Sequence, residues 1–160
     1  KVMVRPRPGN FVYSEEELTC METEIDLLNK LPITGIVLGV LHDDRSINLE
    51  AVQRLSERAD PLPVTFHKAI DETRDPLQEM KKLSRIQNIQ SILSSGGAQN
   101  AETGAKMLKT MQQEFQSRFR MIAAGSITSE NLLSLHHKIG FPEYHGRKIV
   151  GDLARSSNPS

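Results

Sequence analysis

Six short apolar runs alternate with stretches of helical periodicity along this chain, and that alternation limits the fold more than any other feature. Val2-Met3-Val4 opens the series and breaks at Pro6 and Pro8. Glu15 to Lys30 follows, with Leu18, Met21, Ile25 and Leu28 three or four residues apart, and Ser14 with Glu15-Glu16-Glu17 supplying a cap and first-turn carboxylates. Gly35 to Leu41 is apolar almost throughout, as suits a strand covered on both faces. Asn48 to Arg58 reads as a helix and Pro63 to His67 as a strand. Asp75-Pro76 then begins a helix carrying Leu77, Met80 and Leu83. Ser91 to Ser95 predicts a strand, Ala101 to Phe115 a helix and Met121 to Ala124 a strand. A helix is expected to start at Thr128, and Glu143 to His145 is the last strand.

Strand–helix units of roughly 25 to 30 residues imply a parallel sheet with right-handed crossovers. An open doubly wound sheet that binds nucleotides should carry GxGxxG or GxxxxGK[ST] after its first strand. Neither motif is present, and the glycines follow later strands, which favours a (β/α)₈ barrel. Eight strands close such a barrel, so two are unaccounted for. With 160 residues, 38% hydrophobic and 25% charged, the chain suits one folded domain, placed at residues 1–153. The Ser/Asn/Pro-rich stretch 154–160 reads as a flexible tail, and both ends read as cut.

Twenty basic residues balance twenty acidic ones, so no basic footprint points to nucleic acid or a membrane surface. No apolar run approaches the roughly 20 residues that span a bilayer. No secretory signal precedes the first strand. Cys20 is the only cysteine, which excludes an internal disulfide and suits a cytoplasmic setting. Within its helix it reads as a packing residue.

In a barrel of this kind the chemistry gathers where the strands end. Those ends carry Arg5 and Arg7; Gly39; His67, Lys68 and Asp71; Ser94, Ser95, Gly96 and Gly97; Gly125 and Ser126; and His145. A period of two places Arg5 and Arg7 on one side of an extended segment, where two guanidiniums suit an anion. Ion pairs with neighbouring carboxylates are the alternative. His67, with Asp71, is a candidate for acid–base catalysis, and His67 with His145 a candidate for metal binding. Lys68, Ser95, Gly96, Gly97, Gly125 and Ser126 are candidates for holding phosphate or carboxylate, because strand–glycine–helix turns present N–H groups. His136 and His137, adjacent on a helix, do not share a face. His42-Asp43-Asp44 reads equally as a metal site or a solvated turn.

Taken together these strand ends resemble the CutC family of copper homeostasis proteins. Val2-Met3-Val4-Arg5-Pro6-Arg7, Gly9-Asn10-Phe11 and Tyr13-Ser14 stand where the family has RPRGGDF and YS. Gly39 and Leu41 follow; Thr65 to Asp71 matches TFHRAFD, Ile92 to Gly97 matches ILTSGG, and Glu143 to His145 matches EFH. The likeness runs to about Gly151, with departures at Pro8, Asn10, Lys68, Ser126 and Gly146-Arg147. It implies a TIM-barrel-like fold, a cytoplasmic protein that handles copper, and self-association. It also implies that RPR lies on the third barrel strand, so that the first two strands are absent here. The family's copper-binding cysteines fall in that absent segment, and Cys20 does not match them. Copper(I) prefers sulfur ligands, whereas the residues above make a cationic pocket better suited to a small phosphorylated or carboxylated metabolite.

Overall fold

The computed structural model describes residues 1–146 and 149; the expected tail at 154–160 and the end of the domain at 153 lie outside the described residues. Six parallel strands pair in chain order into an open wall, the curved half of a barrel. They are β1 (Val2–Met3), β2 (Ile36–Leu38), β3 (Val64–Phe66), β4 (Ile89–Ser94), β5 (Arg120–Ala124) and β6 (Glu143–His145). The helices between them are α1 (Glu15–Leu28), α2 (Leu49–Ala59), α3 (Pro76–Leu83), α4 (Ala105–Phe115) and α5 (Leu132–Ile139). Such connections require a crossover after every strand, and each helix supplies one.

Strand alternation divides the wall into two faces. Ile36, Leu38, Val64, Phe66, Ile92 and Met121 are fully buried in the core. Val37, Thr65, Leu93 and Ile122 point the other way and line the concave side with Met3. Met3 pairs with Val37, Val37 with Thr65, and Leu93 with Ile122, so the lining follows the sheet register. No helix among the described residues is long and apolar enough to cross a membrane.

Local capping explains most element boundaries. Ser14 accepts from the Glu17 amide while the Glu17 carboxylate accepts from the Ser14 amide, a complete capping box. Asp75 caps α3 ahead of Pro76. β4 begins at Ile89, two residues before the expected Ser91, and two expected helix starts move by four residues. α4 begins at Ala105 rather than Ala101, because Gly104 packs against the carbonyl of Ser95, where a Cβ would lie 1.8 Å from the oxygen. α5 begins at Leu132 rather than Thr128, because Asn131 folds back to accept from the Thr128 amide at 2.8 Å. A 3-10 helix at Lys68–Glu72 follows β3, where the sequence pattern predicts none. Cys20 is exposed on α1 rather than packed: Leu18 and Met21 hold the buried stripe, and Cys20 falls outside it.

Candidate functional site

At the C-terminal end of the wall, Arg5, Phe11, His67, Lys68 and His145 border one cavity of about 620 Å³. His67 is its best-defined member. β3 ends at Phe66, and the His67 amide still bonds the Leu38 carbonyl at 2.9 Å, which fixes the backbone. The side chain then turns inward to cap the 3-10 helix, with Nδ1 accepting from the Ala69 amide at 3.2 Å. The Phe11 ring lies 4.6 Å from the imidazole, centroid to centroid. Gly39 closes the opposite edge: a Cβ there would stand 2.6 Å from Nδ1 and Cε1.

His67 is 3% exposed. Burial, and then the positive charge of Arg5, push its pKa down from 6.5 to about 4. The ring is therefore neutral near pH 7. Its Nε2 is buried with no hydrogen-bond partner among the described residues, and leaving a polar atom so costs about 1–3 kcal/mol.

Arg5 approaches the same aromatic ring from another side. Its guanidinium lies 4.5 Å above Phe11, and Nη2 donates to the Gly9 carbonyl at 2.6 Å. Nε is buried without a partner, and Arg5 forms no ion pair among the described residues. The Tyr13 hydroxyl is buried beside Arg5: burial raises its pKa, and the charge of Arg5 and a hydrogen bond from that guanidinium oppose the rise.

Arg7 does not join Arg5. Its Nε donates to Glu17 at 2.6 Å, Nη2 to the Val12 carbonyl at 2.6 Å and Nη1 to Asn10 at 2.9 Å. The expectation that both arginines share a side required an extended backbone, but the chain bends through residues 6–9. Arg7 thus ties the bend to the N-terminus of α1, where Glu17 belongs to the capping box.

Asp71 and the glycine turn after β4 satisfy each other. The Asp71 carboxylate accepts from the Ser94 hydroxyl and from the amides of Ser95 and Gly97, each of the two amides at 2.9 Å. The Gly96 amide bonds the Ser94 hydroxyl at 2.8 Å. The N–H groups foreseen as an anion cradle thus already hold a carboxylate of this chain. Lys68 bridges the turn to the cavity: its ammonium donates to Ser95 Oγ and lies 3.3 Å from Asp71.

A second cavity of about 560 Å³ adjoins the first, sharing Lys68 and His145 and lined also by Gly125, Ser126 and Thr128. Gly125 and Ser126 both adopt positive φ, and Gly125 lies close enough to Ser95 and Asn100 that a Cβ would crowd them. His67 and His145 border one cavity, but among the described residues no group of three or more His, Cys, Asp or Glu is placed to hold a metal ion. Asp44 accepts from the amide and hydroxyl of Ser46, so His42-Asp43-Asp44 forms a turn. Phe11 and Tyr13 fall outside the strand-end residues that the sequence singles out as candidates. An aromatic residue in an otherwise polar, proline-bearing loop was the signal that could have placed them beside the arginines.

The CutC family model matches residues 1–150. A CutC family protein of Mesorhizobium japonicum is 34% identical over 160 residues, covering 99% of this chain and 62% of its own length. The human copper homeostasis protein cutC homolog is 33% identical over 144 residues, covering 90% of this chain and 52% of its own. The crystal structure of CutC from Streptococcus agalactiae superposes with a TM-score of 0.87 at 30% identity, covering 92% of this chain and 71% of that one. The chain thus spans less than two thirds of the length of these curated relatives.

Proposed function

The chain belongs to the CutC family, and from that premise we propose that the protein serves copper homeostasis in the cytoplasm, with copper as its cargo. The family match along residues 1–150 carries this reading. The cavity itself does not fit copper(I). Its one soft ligand among the described residues is the thioether of Met3; the cations Arg5 and Lys68 border it, and the single thiol, Cys20, does not line it. A copper(I) site would therefore need further sulfur ligands beyond those that line this cavity. Outside the described residues the first two strands would complete the wall as a full TIM barrel, and the protein would self-associate. Copper analysis of the intact, reduced, full-length protein after loading tests the proposal. Copper retained above a matched control is expected, and none retained overturns it.

A second reading is that the strand ends bind, and act on, a small phosphorylated or carboxylated metabolite. Arg5 favours it, being a half-buried guanidinium with no carboxylate partner among the described residues. Lys68 would add charge, with Ser95, Gly96, Gly97, Gly125 and Ser126 shaping the rim, and His67 and Asp71 near the reacting group. Arg7 would contribute only by holding the loop. Thermal shift against a panel of anionic metabolites should stabilise the wild type and not Arg5→Ala. No stabilisation of the wild type by any anion overturns it.

A further inference from the structure

The hydrogen bonding of His67 fixes more than its position. A neutral imidazole carries one proton, and the nitrogen without it accepts. Nδ1 accepts from the Ala69 amide, so the proton is on Nε2. Turning the ring over would take the acceptor away from that amide, and Gly39 packs so closely against the Nδ1–Cε1 edge that the ring has little room to move. Nε2–H is thus a fixed donor, buried and without a partner among the described residues, on a ring that borders the cavity. A metal or a proton abstracted from substrate would need a lone pair on Nε2, and this tautomer has none there.

Arg5 stands against the same Phe11 ring; its guanidinium reaches the Tyr13 hydroxyl and the Gly9 carbonyl but has no carboxylate partner among the described residues. One small molecule resting beside that ring would reach both. Arg5 calls for a negative group, and a planar carboxylate matches its fork. A neutral imidazole N–H calls for a carbonyl or hydroxyl oxygen. A phosphate would draw on several backbone N–H groups, and those of the Ser95–Gly97 turn are committed to Asp71 and Ser94.

We propose that His67 serves this cavity as a neutral hydrogen-bond donor through Nε2–H, holding the 2-oxo or 2-hydroxy oxygen of a small carboxylic acid whose carboxylate lies against Arg5. The inference rests on the anionic-ligand reading and names its substrate class. It assigns His67 the orienting and polarising of that oxygen, and takes from it the roles of base and metal ligand.

The test is proton–nitrogen correlation of the imidazoles in the full-length, 15N-histidine-labelled protein. The His67 signal is identified by its loss in His67→Gln, whose other histidine signals report that the variant folds. Between about pH 6 and 8 the Nε2–H tautomer is expected. Pyruvate or lactate should shift that signal, and acetate, lacking the second oxygen, should bind about tenfold more weakly. A Nδ1–H tautomer, or loss of the Nε2 proton on adding copper(I), overturns the assignment of His67 while leaving the thermal-shift test of Arg5 standing. The expected tautomer with no response to pyruvate or lactate overturns the ligand class, as do a response to inorganic phosphate alone and equal binding of acetate. Failure of every anion in the Arg5 experiment as well overturns the anionic-ligand reading itself.

Discussion

Burial of His67 ties one side chain to the pH range in which the protein holds together. Its folded pKa of about 4 lies below the ordinary value of 6.5. Between those values the unfolded chain takes up a proton that the folded chain refuses, so stability falls as pH drops through this window and levels off below it. The loss from this group is about 3 kcal/mol at most. Denaturant titrations from pH 7 to about 4 should show that slope, and His67→Gln should flatten it; an unchanged slope in the variant would place the sensitivity elsewhere. Gly39 is coupled to the same ring by space alone. Its φ is not positive, and only the 2.6 Å approach of a would-be Cβ to the imidazole explains the glycine. Gly39→Ala should cost about 1–3 kcal/mol, as overpacking does, and should disturb the His67 ring signals before those of other histidines. Full stability with an unmoved His67 would refute the packing account.

Among the elements, the turn after β4 depends on a single carboxylate more than on its glycines. Asp71→Ala would leave the Ser95 and Gly97 amides and the Ser94 hydroxyl without their acceptor, and the variant should lose about 3 kcal/mol in chemical denaturation, with Lys68 released from its partner. A loss under 1 kcal/mol would mean that water replaces the carboxylate freely. Strand order and all five helices were legible because each apolar run has the length and period its element needs. Capping residues such as Ser14 and Asp75 marked two helix starts directly. What stayed hidden were contacts between elements distant in sequence. Gly104 meets the Ser95 carbonyl at the start of α4; the glycine itself, and Asn100 accepting from the Thr103 amide, are the local signals for a later start, but the contact with Ser95 is not readable from the sequence. Asp71 filling the glycine turn, and Glu17 drawing Arg7 away from Arg5, are of the same kind. The residues singled out lie at the strand ends, but which charges cancel each other depends on the bend at residues 6–9. Arg118 is a further case: it donates to the carbonyls of Ser84, Ile86 and Ile89, tying the α3–β4 connection to the end of α4, and nothing in its local sequence suggests this.

At the scale of the whole molecule, the open wall presents two surfaces with different consequences. Its edges, where the two further strands of a full barrel would pair, are poor templates for pairing with a second copy of this chain. β1 has two residues between Lys1 and Arg5, and β6 has three, including Glu143, so short length and charge blunt both. The concave face is different. Met3 is half exposed there, Val37 and Leu93 are only partly covered, and the cavity they border opens to solvent. Contiguous apolar surface of this kind drives association when nothing else covers it. The 160-residue chain on its own should therefore scatter light with a mass above its monomeric 17.9 kDa, increasingly so with concentration. Leu93→Lys, which puts a charge in the middle of that lining and leaves the helix-facing core untouched, should return it towards the monomer. A chain that is monomeric at all concentrations would show that the concave face is adequately solvated as it stands. Association that persists in Leu93→Lys would move the contact to the exposed Leu27 and Leu31 at the end of α1.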